Sequence, residues 1–305
     1  MNRRRGFTLV ELLIAIVITG LVMGSVITIL FSVFKSYELH QDLSEAKQRG
    51  QIALAAIHPF VLNAGLGLPN KEADFQAAFS GLDPVLPAQA ARRFKGFVQL
   101  ASASGDALSS GTAAPALWLV YSEPSGAGVG KEYAVPKNPS PHFPIEVEPF
   151  GTLAHASNLS TDASQLKAWI SFPSASSPFR ISSVDTTAET LSLNSSSDQW
   201  IAAFDELHFV RAVKISSGGG VLKIDHLDGT EVRSAADGVA GMWCTFDPEG
   251  DRVLTVRVLA RSGTKRSDQR QSVIVGWPDD AVPAKSGLDS SYRYAVVSRS
   301  WRIRN

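Results

Sequence analysis

The sequence has few of the residues from which metal and disulfide sites are built. Its one cysteine, Cys244, excludes an intrachain disulfide and a zinc or iron–sulfur site held by cysteines. The six histidines and three methionines are scattered, without the spacing of metal ligands. We therefore predict no metal and no other cofactor.

An excess of charge of one sign is missing too. The chain carries 29 basic and 29 acidic side chains, so its formal net charge is zero. This balance removes the bulk electrostatic argument for binding nucleic acid, which needs a basic surface. With 44% hydrophobic residues over 305 positions, the chain can nevertheless build a sizeable core, and wholesale disorder is excluded.

Motifs of catalysis are absent as well. The chain has no G-x-S-x-G elbow, no P-loop and no H-E-x-x-H. We expect no enzymatic activity. Asp247, Glu249 and Asp251 could offer oxygen ligands to calcium, but the EF-hand pattern is absent and a solvated turn is the preferred interpretation.

What the sequence does contain is a long uncharged segment near its start. From Leu12 to Phe34 there is no charged residue and no proline, which at about 1.5 Å per residue is enough for a helix to cross a hydrocarbon core of about 30 Å. Three arginines at 3–5 precede the segment and should remain cytoplasmic, which places the rest of the chain across the membrane. A secretory signal peptide fits less well, because its apolar region is about 7–15 residues and ends at a small-residue cleavage site.

Glu11 distinguishes this segment from a plain membrane anchor. A carboxylate inside an apolar helix costs about 2.5–3.5 kcal/mol on insertion scales and therefore indicates a function. A position at the level of the lipid headgroups would lower that cost, but it would not explain the spacing of Glu11 from Gly6.

The segment from Gly6 to Ile14, preceded by arginines and followed by the apolar run, resembles the processing and assembly motif of type IV prepilins and of type II secretion pseudopilins. The resemblance implies that a prepilin peptidase cleaves between Gly6 and Phe7 and that the new N-terminal Phe7 is N-methylated. It also implies an assembly role for Glu11, whose carboxylate would neutralise the N-terminal amine of a neighbouring subunit. Such pairing lowers the cost of both charges in an apolar bundle and sets the register between subunits.

The helix is predicted to continue past the membrane as an amphipathic helix. From Leu39 the apolar and small residues recur at alternating steps of four and three, a narrow apolar stripe that includes Gly50 as a small position. Charged residues are predicted to lie off this stripe, with Glu45 and Arg49 as a favourable pair one turn apart. The full sets are positions 39, 43, 46, 50, 53, 57 and 60 on the stripe, and Glu38, Asp42, Glu45, Lys47 and Arg49 off it.

Three segments follow from these patterns. Residues 1–6 are a leader, and 7–66 form one long helix whose transmembrane part covers about 12–34. Pro59 should kink or end this helix, because proline lacks an N–H and clashes one turn back. Residues 67–305 form a head that is rich in strands, with a possible division into 67–165 and 166–305.

The sequence of the head predicts strands joined by short turns, including a hairpin with an Asp-Gly turn at 228–229. We predict an α+β fold in which an antiparallel β-sheet packs on the C-terminal half of the long helix. Loops are predicted at 101–111, 122–130 and 152–165. Strands are predicted at 97–100, 116–121, 167–172, 199–204, 206–215, 221–227, 230–233, 239–246, 252–260, 272–277 and 292–303.

Parts of the head resemble PilW-type minor pilins. The resemblance lies in the helix end at 57–67, the segment Asp237–Trp243, the acidic loop 247–251, the valine-rich strand 253–262 and the terminal 302–305. It departs from the family at Pro248 and Glu249, where more acidic residues are usual. It implies a non-catalytic minor pilin that primes or caps the assembly of a type IV pilus.

The expected partners are prepilin peptidase, the major and other minor pilins, and the assembly platform of the inner membrane. The implied location is a single pass of the inner membrane, with the head in the periplasm and then in the extracellular pilus. A J-type pseudopilin of type II secretion is an alternative, although those are commonly shorter. A second alternative is a pilus-borne adhesin or DNA-uptake module, for which the basic residues Arg261, Lys265, Arg266 and Arg270 are candidates.

Overall fold

The fold is taken from a computed structural model, which describes residues 8–69, 71–79, 96–102, 108, 113–154, 159–162, 165–227, 231–247, 251–266, 271 and 273–303. One long helix, α1, covers Leu9–Leu62. Phe7, its predicted first residue, lies outside the described residues, and Thr8 has an extended backbone and caps the helix, so α1 begins at Leu9. The predicted α+β architecture is confirmed.

Pro59 does not end α1, which runs on to Leu62 rather than to residue 66. A proline inside a helix removes one backbone hydrogen bond. Ile57 and Val61 flank it and are buried in the head, and their packing holds the last turn in place.

The predicted apolar stripe of α1 is largely confirmed. Ala46, Gly50, Ala53 and Ile57 are buried, whereas the stripe positions at 39, 43 and 60 are half-buried. Position 50 requires glycine because the helix lies close to Val297, where a Cβ at position 50 would be only 2.7 Å from Val297 Cγ2. The helix therefore lies directly on the C-terminal strands of the head.

One residue predicted to lie off the stripe, Asp42, is buried against the head. Its carboxylate accepts a hydrogen bond of 2.5 Å from Nε of Arg266, whose Nη1 donates to Glu38 at 2.8 Å. Its burial was not predicted, because burial of a carboxylate depends on its cation, and this cation lies 224 positions away in the sequence. The pair of Glu45 and Arg49 is confirmed at 2.7 Å.

The head consists of antiparallel strands and short helices. The helices are α2 (Glu72–Ala78) and α3 (Phe150–Ala154), with 3₁₀ turns at Leu166–Ala168 and Lys285–Gly287. The strands are β1 (Val98–Ala101), β2 (Ala116–Gly128), β3 (Tyr133–Val135), β4 (Phe143–Glu146), β5 (Trp169–Ser171), β6 (Phe179–Asp185), β7 (Thr190–Ser195), β8 (Gln199–Ile201), β9 (Glu206–Gly218), β10 (Val221–Asp225), β11 (Arg233–Asp237), β12 (Val239–Phe246), β13 (Val253–Arg261) and β14 (Tyr294–Arg302).

The long strand β9 organises the largest sheet. It pairs with β2 along one edge and, on its other edge, with β5 near its start and β10 near its end. The sheet has the order β1-β2-β9-β5-β6-β7-β4, and the hairpin β10–β11 branches from β9. A second sheet, β12-β13-β14, lies against α1, and β3 pairs with β8.

Several predicted strands differ from the observed ones. The segment 122–130, predicted as a loop, belongs largely to β2, which continues to Gly128 through an irregularity after Pro124. The predicted strand 272–277 is not a strand at 273–277, where Val273 and Val275 are exposed. The hairpin is confirmed, but β11 begins at Arg233, and its predicted Asp-Gly turn lies outside the described residues. Four strands, β3, β4, β6 and β7, were not predicted.

Apolar side chains form two main clusters. The first lies between α1 and the sheets and includes Ile57, Trp118 and Val256. The second includes Ile145, Phe179 and other residues drawn from 127–209. Both clusters take residues from either side of position 165, and the division of the head at that position stays a prediction.

A buried polar cluster lies where β2, β5 and β9 meet. Ser122 Oγ donates to the carbonyl of Leu66 at 2.7 Å and lies 2.8 Å from Ser171 Oγ. The neighbouring His208 is buried, and its Nδ1 has no hydrogen-bond partner among the residues described here. Burial lowers the pKa of His208, and Glu206, the backbone of Ser122 and Asp205 offset this only in part.

Because of His208, we expect the free energy of unfolding to fall as the pH drops below about 6.5, the ordinary pKa of histidine. The folded chain holds the imidazole neutral, so the unfolded chain takes up the proton first, and the loss stops growing below the lowered pKa. Urea unfolding of the detergent-solubilised chain, at about pH 7.5 and about pH 5.5, measures this difference. His208→Gln should reduce it, whereas the same change at the exposed His142 should not. If the free energy of unfolding of His208→Gln depends on pH as strongly as that of the wild type, His208 is not the source of the pH dependence.

Candidate functional site

The N-terminal half of α1 is bare. Every residue from Leu9 to Phe34 is exposed. Among the described residues, α1 is the one helix long and apolar enough to cross a membrane. Such a surface is stable only when lipid or other apolar helices cover it. Its exposed large side chains are Leu9, Val10, Leu12, Leu13, Ile14, Ile16, Val17, Ile18, Leu21, Val22, Met23, Val26, Ile27, Ile29, Leu30, Phe31, Val33 and Phe34.

Two hydroxyl groups in this half of α1 are satisfied by the helix itself. Ser25 Oγ donates to the carbonyl of Val22 at 2.7 Å, and Thr28 Oγ1 donates to the carbonyl of Gly24 at 2.9 Å. In an apolar medium an unsatisfied hydroxyl costs several kcal/mol. These two residues therefore do not prevent the segment from entering lipid or a helical bundle.

Glu11 lies in the first turn of α1 and forms a capping box with Thr8. The backbone N–H and the hydroxyl of Thr8 both donate to Glu11 Oε2 at 2.9 Å, and Thr8 Oγ1 accepts from the Glu11 N–H at 3.2 Å. This arrangement satisfies backbone donors that have no partner within the helix, and it places the carboxylate at the positive end of the helix dipole.

The role of Thr8 was missed at the sequence level, although its signal was present. Thr8 and Glu11 form the T-x-x-E pattern of a capping box immediately before an apolar run. Both contacts from Thr8 use Oε2, and Glu11 is exposed. The carboxylate can therefore accept a further donor through Oε1 while it caps the helix.

The other predicted residues of the processing site, Gly6 and Phe7, lie outside the described residues. Their roles in cleavage and N-methylation remain predictions. Glu11 is four residues from Phe7 in the sequence.

The weak calcium candidates are only partly described. Asp247 directly follows β12 and Asp251 precedes β13, whereas Glu249 lies outside the described residues. In the part of the chain that the structure covers, no three His, Cys, Asp or Glu side chains come together as a metal site. Cys244 is buried in β12, and burial raises the pKa of its thiol, as expected of a cysteine in an apolar core.

The basic stretch considered for DNA uptake is largely engaged within the chain. Arg266 binds Glu38 and Asp42, and Lys265 pairs with Asp289 at 2.8 Å. Arg261 lies over the ring of Tyr292 at 4.7 Å from its centre, and Arg270 is outside the described residues. These cations hold the head to α1 or stabilise the head, so this stretch offers no support for DNA binding.

Comparison with known protein families finds a match at the start of the chain. The family model of the prokaryotic N-terminal methylation motif matches residues 1–27, which include Gly6, Phe7 and Glu11. No curated protein and no solved structure matches the chain. The match supports a prepilin-like leader, and with the bare helix it supports a single-pass, membrane-anchored protein of the pilin or pseudopilin type.

Proposed function

We propose that this chain is a minor pilin of a type IV pilus, a structural subunit that primes or caps assembly and catalyses no reaction. The observation that carries the proposal is one unbroken helix with a methylation motif at its start, a bare apolar half, and a second half buried in a head. A signal peptide would be discarded and a plain anchor would need no such motif, whereas a subunit that passes from membrane to filament uses all three features.

Processing converts the membrane precursor into a subunit. A prepilin peptidase cleaves between Gly6 and Phe7, removes the three arginines of the leader and leaves an amine on Phe7 that becomes N-methylated. The carboxylate of Glu11 then neutralises the amine of an adjacent subunit. The capping box holds that carboxylate at the helix start before assembly, so little ordering is needed when the amine arrives.

The proposed location follows from the leader. Arginines at 3–5 keep the N-terminus cytoplasmic, so the head lies in the periplasm until the subunit enters the extracellular pilus. The partners are prepilin peptidase, the major and other minor pilins, and the assembly platform of the inner membrane. The PilW-type assignment rests on the pattern of the C-terminal strands, and a J-type pseudopilin shares the same N-terminal chemistry.

The experiment that tests the class is the N-terminal mass of the chain isolated from membranes and from sheared pili. We expect a fragment that begins at N-methylated Phe7. An intact N-terminus in cells with an active prepilin peptidase would refute the proposal and leave a plain membrane-anchored protein. Recovery from sheared pili supports the pilus, whereas dependence on type II secretion genes favours the pseudopilin.

Substitution of Glu11 separates its two roles. Glu11→Gln keeps a side chain that can complete the capping box but removes the charge, so we expect normal cleavage and about a tenfold or greater loss of assembled subunit. Thr8→Val removes the capping hydroxyl and keeps the charge, and should have the smaller effect. The measurement is the ratio of cleaved subunit in sheared pili to that in membranes. Normal assembly of Glu11→Gln would rule out charge pairing.

A further inference from the structure

A cleft of about 800 Å³ opens in the head between the segment that follows α1 and two turns beside β6 and β7. One side consists of residues 66–69 and α2, and the other side of the turns at 173–177 and 196–197. Its volume falls within the range of small-molecule sites, about 300–1,000 Å³. We name it the serine cleft and define it by its polar residues Ser176, Ser177, Ser196, Ser197, Lys71 and Asp74.

Buried groups hold the serine side of the cleft in place. Gln199 Oε1 accepts from the backbone N–H of Ser176 at 3.0 Å, and Gln199 Nε2 donates to Ser197 Oγ at 2.7 Å. The hydroxyl of the buried Ser195 donates to the carbonyl of Ser197 at 2.6 Å. Gln199 thereby links the two turns, so the hydroxyls on this side are positioned before any ligand binds.

Two of these hydroxyls have hydrogen-bonding capacity that the described residues do not use. Ser177 is only 5% exposed, and its Oγ lies 3.5 Å from Ser196 Oγ, beyond the usual hydroxyl–hydroxyl distance of about 2.5–3.0 Å. Ser197 Oγ accepts from Gln199, so its own proton is available to a further acceptor. A buried hydroxyl without a good partner is costly, and a ligand hydroxyl in the cleft would supply one.

The opposite side of the cleft carries one cation and one anion. Lys71 and Asp74 are both exposed, and neither forms an ion pair within the described part of the chain. A carboxylate three positions from the only cation weakens the attraction of the cleft for an anion such as phosphate. A single carboxylate is also too few for calcium, which takes six to eight oxygen ligands. The charges of the cleft therefore favour a neutral ligand.

A carbohydrate matches this combination of groups. Each sugar hydroxyl both donates and accepts, so it can pair with serine hydroxyls, accept from Lys71 and donate to Asp74. The C–H faces of a sugar ring are apolar and fit against apolar side chains. Leu66, Pro69 and Pro173 line the cleft and provide such surface.

The headgroups of the membrane that α1 crosses are too far away to be this ligand. Leu62, where α1 ends, lies 28 residues beyond Phe34, which at about 1.5 Å per residue is about 42 Å along the axis. The headgroup layer on each side of a bilayer is only about 5–8 Å thick. The cleft begins at Leu66, just past the end of α1, and is therefore open to ligands in solution or on another surface.

We propose that the serine cleft binds a neutral oligosaccharide. The serine hydroxyls, Lys71 and Asp74 form hydrogen bonds with the sugar hydroxyls, and the apolar residues of the cleft contact the ring. This binding activity goes beyond the structural role in a pilus and does not depend on it, because the whole cleft lies within the head.

Calorimetric titration of the full chain with three trisaccharides tests the proposal. The chain is solubilised in lauryldimethylamine oxide, a detergent without a sugar, and titrated with maltotriose, cellotriose or triacetylchitotriose. We expect saturable binding of at least one of them, and the preferred sugar distinguishes α-glucans, β-glucans and acetamido-sugar polymers as the source. Inorganic phosphate should not displace it. No saturable binding of any of the three up to about 10 mM would overturn the proposal, as would displacement by phosphate.

Two variants of α2 place the sugar in the cleft. Ala77 is exposed and lines the cleft, so Ala77→Trp should fill it and weaken binding about tenfold or more. Ala73 is exposed on the same helix but does not line the cleft, so Ala73→Trp should bind within about twofold of wild type. Resistance of the head to trypsin checks that both variants fold. Unchanged binding by Ala77→Trp would show that the sugar binds elsewhere and would refute the site.

Discussion

Gly6→Leu leaves the chain at full length in the membrane, with no detectable fragment beginning at Phe7. The peptidase motif has glycine before the cut, and a branched side chain at that point prevents access to the peptide bond. The uncleaved chain also keeps Arg3, Arg4 and Arg5, and carrying each arginine into a bilayer costs about 2.5–3.5 kcal/mol. We therefore expect loss of processing and, as a consequence, loss of the subunit from sheared pili. Intact-mass measurement of both fractions checks the two effects.

A matched control for this variant is available in the same helix. Gly20 lies in the apolar half of α1, and a Cβ added there would have no atom within 4 Å. Gly20→Leu makes the same chemical change away from the cut, so it should be cleaved as wild type. Cleavage of Gly6→Leu at the wild-type rate would show that the peptidase does not require this glycine. The assignment of the leader would then have to be withdrawn.

Arg266→Met should lower the free energy of unfolding by about 3 kcal/mol. The side chain of Asp42 is only 4% exposed, so removal of its cation leaves a buried carboxylate with no opposite charge. Methionine keeps much of the apolar stem of arginine, so the expected loss comes from the charge more than from packing. Urea unfolding of the detergent-solubilised chain, followed by tryptophan fluorescence, measures the change.

Two further variants show whether the charge is responsible. Lys131→Met removes a cation from the pair with Glu146, in which both side chains are more than half exposed, and should leave the free energy of unfolding nearly unchanged. Asp42→Asn combined with Arg266→Met removes both charges and should recover part of the loss. If Arg266→Met is as stable as Lys131→Met, the loop at 262–266 does not hold α1 through charge.

Local periodicity accounts for most of what could be predicted about the fold. The steps of four and three along α1 identified Gly50, Ala53 and Ile57 as buried, because a helix places such positions on one side regardless of what covers them. The apolar runs of β12, β13 and β14 likewise indicated strands close to their observed bounds. The strands β6 and β7 were missed because serine separates their apolar residues, and serine is typical of loops, although both strands show buried residues in alternation.

The sequence by itself determined the chemistry at the start of this protein. An arginine leader, Gly6, Phe7, Glu11 and an uncharged run lie within about one-tenth of the chain, and their spacing along it carries the meaning. Only the tertiary structure decided how α1 is used beyond the membrane. Arg266 comes from a loop 224 positions away, so its pairing with Asp42 depends on the fold and cannot be read from local spacing. That pairing turns Glu38 and Asp42 toward the head, because a buried carboxylate is stable only where a cation meets it.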